Sequence, residues 1–149
     1  GCQPRVDARR LVGVGGVWEI AVVPRPTRPD VPGAYLARLR AIFARLPECH
    51  EEEAWVGVRW RVAGTTVTVA HVFGGEDQLF RITFRAEPDE VMAFQHLGAP
   101  YFKGEWGNNV VGMLVDDDTD WVELGELLTD SFCLQAPQRL VDRVDRPGA

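Results

Sequence analysis

Lysine is nearly missing from this chain: of 149 residues only Lys103 is one, so arginine carries almost all the positive charge, and the net charge is -6. Binding nucleic acid over the whole surface needs clustered basic residues that release counterions, and this balance opposes it. Cysteine is also scarce. Cys2, Cys49 and Cys133 are scattered with no C-x-x-C pair, which excludes a disulfide framework or a zinc knuckle and fits a reducing cytoplasm. No apolar run approaches the roughly 18 to 20 residues that span a bilayer. The start carries neither a myristoylation signal nor a charged-then-apolar leader. The expectation is a cytoplasmic protein with no membrane segment. Gly13, Gly15 and Gly16 do not form G-x-G-x-x-G, which excludes a dinucleotide loop, and there is no internal repeat.

What remains is ordinary globular composition, 46% hydrophobic and 26% charged, enough for one core-bearing domain. Charge is unevenly spread: residues 1–32 carry +2, residues 33–136 carry -9 and residues 137–149 carry +1. The first 32 residues read as an N-terminal arm and linker, with one strand near Val17 to Val23 and then four prolines between Pro24 and Pro32, a composition that favours extended chain. Residues 33–140 read as the domain and 141–149 as a tail.

Within the domain, Leu36, Leu39, Ile42, Phe43 and Leu46 recur at helical spacing until Pro47. "ECHEEEAWVG" reads as a loop. "VRWRVAG", "TTVTVAHV" and "LFRITFR" alternate as strands, broken at Gly64 and at Gly74-Gly75. "EPDEVMAFQHLG" has the start and stop signals of a short helix. "NNVVGMLV", with a short strand at Tyr101 and Phe102 before it, precedes a last helix bearing Trp121, Leu124, Leu128 and Phe132 on one side, with Asp120 and Glu123 as a capping pair. The expected fold is α+β, two layers, a twisted antiparallel sheet with helices on one face in the order α-β3-α-β2-α.

Several motifs reduce to architecture. "DDDTD" places oxygens at calcium-loop positions 1, 3 and 5, but Trp121 and Leu127 stand where the required Gly and Glu belong, so it reads as a turn whose Asp120 caps a helix. Cys49 and His50 are adjacent, an arrangement in which side chains diverge, and Glu51 to Glu53 would raise a thiol's pKa. His71 reads as a hydrogen-bonded core or rim residue and His96 as a helix C-terminal charge. Alternation leaves one functional candidate: Arg59 and Arg61 share one strand face, and Arg81 and Arg85 share another. Together they make an arginine-lined outer surface, either paired with nearby acids or serving as a platform for an anion or nucleic acid. Lys103 adds a contact beside it. Trp106 reads as a packing anchor flanking that surface, and Asn108 and Asn109 as the entry to a strand.

In their order, "LPECHEEEAWVG", "RWRVAGTTVTVAHV", "RITFRAEPDEV", "EWGNNVV" and "LLTDSFCLQAP" resemble the MmcQ/YjbR family of small bacterial proteins over about residues 34 to 140. The resemblance implies a secretion-chaperone-like sheet backed by helices and a DNA-binding label, with no catalytic set. The chain departs from the family pattern at Gly64-Thr65, Arg85 and Phe132.

The combined expectation is a non-enzymatic binding protein without a cofactor or metal, a monomer or dimer. It would take DNA or another anion through Arg59, Arg61, Arg81 and Arg85, with Lys103 and Trp106 beside them. The alternative is a protein-interaction or chaperone-like module that binds no nucleic acid.

Overall fold

The computed structural model describes residues 10–14, 17–21, 27–105 and 107–145, the first two segments as backbone only. Strands β1 (Arg10–Val14) and β2 (Val17–Ala21) pair as an antiparallel hairpin in a sheet of their own. The anticipated single strand of the arm is therefore half of a hairpin; residues 1–9, 15, 16 and 22–26 of the arm, like Trp106, lie outside the described residues.

Helix α1 (Gly33–Phe43) buries Leu39 and Phe43. It stops before the expected Leu46, but tight turns carry the chain on and Leu46 is still buried. Next come strands β3 (Cys49–Glu53), β4 (Val58–Val62), β5 (Thr68–Gly74) and β6 (Phe80–Arg85), helix α2 (Pro88–Leu97), strands β7 (Tyr101–Lys103) and β8 (Val110–Val115), and helices α3 (Trp121–Gln135) and α4 (Gln138–Val141). The six later strands form one antiparallel sheet in the order β3-β4-β5-β6-β8-β7, with helices packed on one side. The α+β, two-layer expectation holds, with one correction: "CHEEE" is an edge strand and not a loop. Its register decides its side-chain partners, because Glu51 turns toward α1, where Arg40 grips it at 2.8 and 2.9 Å, while Glu52 turns to the opposite face.

The core lies between the sheet and the helices. Trp60 stacks on Phe43 with ring centroids 4.4 Å apart, and Val62, Val72, Ile82, Phe84, Val111 and Met113 meet Leu124, Leu128 and Phe132 of α3. Two helix starts are capped. At α3 Asp120 accepts the amides of Val122 and Glu123 as expected, but Glu123, the anticipated other half of the pair, instead accepts the Tyr101 hydroxyl, and at α2 Glu87 and Glu90 cap the helix start reciprocally. Leu140 of α4 is fully buried, and Arg139 and Arg143 reach Glu48, so the chain stays packed beyond residue 136.

Candidate functional site

Cross-strand register fixes what lies on the sheet face away from the helices. Glu52, Arg59, His71, Thr83, Gly112 and Phe102 stand opposite one another in turn across all six strands. Because residues two apart on a strand share a face, Arg61 accompanies Arg59, and Arg81 and Arg85 flank Thr83. All four arginines thus share the face that alternation assigned them.

They do not form a flat, open stripe. The hairpin turn after β3 folds back over the sheet: Ala54 donates its amide to Gly57, and the Val56 carbonyl meets Nε2 of His71. Gly57 permits this, since its φ is +74° and a Cβ there would lie 2.0 Å from the Val72 carbonyl and 2.8 Å from Cβ of Phe73. At the other side, Gly104 packs on Val110, and the Phe102 ring occupies the space that a Gly112 side chain would fill. Thr83 and Val110 are consequently buried although they belong to the outer face.

Between these flaps is a cleft of about 350 Å³, lined by Arg59 and Ala54 on one side, Arg85 and Val110 on the other, and His71 and Thr83 on its floor. A bulge helps to open it. Trp60 pairs with Ala70 and Arg61 with Thr68, so Val69 has no cross-strand partner on β4. Such an extra residue bends its strand and locally breaks the ladder. Past the Ala70 and Phe84 pair, the β5–β6 ladder also ends, and buried Ser131 of α3 takes its place. Its hydroxyl donates to the Val69 carbonyl at 2.6 Å and accepts the Arg85 amide at 2.8 Å. Gln135 donates to the Thr68 carbonyl at 3.0 Å. Two α3 side chains thus satisfy the backbone groups the parted strands leave behind, and the cleft runs over that parting.

The electrostatics separate the four arginines. Arg81 folds back onto its own turn, giving Asp77 two hydrogen bonds of 3.1 and 2.6 Å; chiefly through this guanidinium, the Asp77 carboxyl is held down to about 2. Arg59 and Arg61 both pair with one carboxylate, Glu52, and the Arg61 Nε is buried without a hydrogen-bond partner. Among the described residues, Arg85 bonds only to a neutral group, donating to the Asn109 side-chain oxygen at 3.0 Å. Among the described residues, the guanidiniums of Arg59, Arg61 and Arg85 meet a single carboxylate, and two of the three, Arg59 and Arg85, line the cleft. His71 adds no charge: burial, more than the nearby Arg59, lowers its pKa, and the neutral ring donates to Val56.

Lys103 does not join this group. It pairs with Val111 and shares the side of β7 on which Tyr101 reaches Glu123 of α3, whereas Phe102 between them turns to the arginine face. Cys49 is half-buried and burial pushes its thiol up to about 12; desolvation, rather than the neighbouring glutamates, is the cause. The "DDDTD" segment is a turn closed by its own bonds, Asp118 amide to Asp116 and Asp116 amide to Thr119, with Tyr35 donating to Asp117. Among the described residues, no three His, Cys, Asp or Glu side chains are grouped to hold a metal, and no helix is long and apolar enough to cross a membrane.

Ser131, Thr83 and His71 complete the site without having been singled out as site residues. Ser131 was legible in outline, because it falls on the buried stripe of Leu124, Leu128 and Phe132, where a small polar residue marks a spot that needs a hydrogen bond.

No protein-family model and no curated protein matches the chain. The fold is similar to the crystal structure of Deinococcus radiodurans protein DR2400, a family-model domain DUF419, with a TM-score of 0.60 at 17% identity over 76% of this chain and 90% of that one. At that identity the likeness establishes a shared architecture.

Proposed function

We propose that the protein is a non-enzymatic, MmcQ/YjbR-like binding protein of the cytoplasm that holds a small phosphate- or carboxylate-bearing ligand in the outer-face cleft. The observation that carries this reading is the convergence of Arg59 and Arg85, from β4 and β6, on a cleft lined also by Thr83 and neutral His71, where among the described residues the one paired carboxylate, Glu52, is shared between Arg59 and Arg61. Arginine presents a planar fork of donors suited to such oxyanions. The cleft volume of about 350 Å³ lies at the small end of small-molecule sites. The same features favour a compact anion over a long duplex. Arg81 is spent on Asp77, Lys103 faces elsewhere, and residues 33–136 carry -9, so the described residues present no continuous basic track to follow a phosphate backbone.

Backbone amide chemical shifts recorded during titration with inorganic phosphate, and separately with a short DNA duplex at low salt, test this. Phosphate is expected to move Arg59, His71, Thr83 and Arg85 and to leave the Asp77–Arg81 turn unmoved, with the duplex adding no wider footprint. No response to phosphate at low salt, or shifts centred on Arg81, would overturn the reading.

A further inference from the structure

The turn that roofs the cleft also carries Trp55, which is 91% exposed. A tryptophan left almost wholly in water gives up the burial that usually stabilises so large an apolar surface, whereas Trp60 nearby is 2% exposed. Its position is anchored from both sides: Ala54 lines the cleft, and the Val56 carbonyl is bonded to His71 on the cleft floor. Trp55 is therefore held in the turn that borders the cleft lined by Arg59 and Arg85.

We infer that the ligand is a nucleotide unit, with its phosphate held between Arg59 and Arg85 and its base stacked on Trp55. This rests on the anion-binding reading above and adds the aromatic half of the ligand. An aromatic platform beside guanidiniums is the combination by which proteins hold unpaired bases, because every base offers a π-face and every nucleotide a phosphate. A double helix is unsuited to it, since paired bases are stacked on one another and cannot reach the indole. The site accepts one unit: Arg81, the next cation along β6, is paired with Asp77.

Equilibrium dialysis at low salt with inorganic phosphate, adenosine monophosphate and a single-stranded deoxyadenylate decamer separates the components. Stacking on one aromatic residue corresponds to a gain of about five- to 150-fold, so the mononucleotide should bind at least fivefold tighter than phosphate. Trp55→Ala should bring the mononucleotide to the level of phosphate without changing phosphate binding, and Trp55→Phe should restore much of the difference. The decamer should gain no more than its number of equivalent units provides. If phosphate binds but the mononucleotide binds no tighter, or Trp55→Ala leaves their ratio unchanged, the nucleotide inference is overturned and the anion site stands. A decamer that outbinds its units assigns the face to a strand and overturns the single-unit inference. If neither phosphate nor the mononucleotide binds, both readings are overturned.

Discussion

The hydroxyl of Ser131 accepts the backbone amide of Arg85, in a place where a strand neighbour would ordinarily provide the partner. The same oxygen donates to Val69, so one small side chain of α3 bridges β5 and β6 where their ladder ends. The cleft over this point exists because the two strands are joined through a helix side chain rather than to each other.

Ser131→Ala should accordingly be costly for so small a change. It leaves a buried amide and a buried carbonyl without partners, each worth about 1–3 kcal/mol, and a loss of about 2–4 kcal/mol is expected from urea unfolding. A loss below about 0.5 kcal/mol would mean that the strands close on each other when the hydroxyl is removed.

Glu52→Gln should release both Arg59 and Arg61. The pairs are partly exposed, with Glu52 39% exposed, and such pairs contribute about 0–1 kcal/mol, so stability should change little. Phosphate affinity should rise about three- to tenfold at low salt, and the gain should shrink as salt is added. Unchanged affinity in isothermal titration would show that Glu52 does not compete with the ligand.

The half-buried imidazole of His71 sets a pH dependence. Its folded pKa lies below the ordinary 6.5, so as pH falls from there the unfolded chain takes up the proton first. This group's contribution is intact above 6.5 and declines as pH falls through the folded value. Asp77, Glu48 and Glu51 have lowered carboxylate pKa values and act below this window. The urea midpoint of the wild type should drop between pH 7 and pH 5, and that of His71→Gln, whose amide can still donate to Val56, should drop less. Equal slopes in the two proteins would contradict the assignment.

Most of the architecture was legible because its signals are local. The helical stripe of Leu36, Leu39 and Phe43, the cap at Asp120, the helix-starting Pro88, and the alternation of Arg59 and Arg81 all act within a few residues. The edge strand Cys49–Glu53 was hidden because its run of acids opposes strand propensity; pairing with β4, the Arg40 clasp and the Glu52 pairs outweigh it. The cleft was hidden for another reason. It arises from a bulge, a folded-back turn at Gly57 and a serine on a helix some 60 residues away from Val69, relations that no window of sequence contains. Alternation correctly aimed four guanidiniums at one face, but only the register showed that Arg81 is spent on its own turn and that Lys103 points to the other side.

The most direct measurement is the affinity for pyrophosphate at low salt, by equilibrium dialysis, of the wild type and of an Arg59→Ala/Arg85→Ala double variant verified as folded by circular dichroism. Charge-assisted hydrogen bonds contribute about 1.5–3 kcal/mol each, so the double variant should bind at least a hundredfold more weakly, while Arg81→Ala binds as the wild type does. Pyrophosphate held equally by all three proteins, or by none, would contradict the assignment of the cleft.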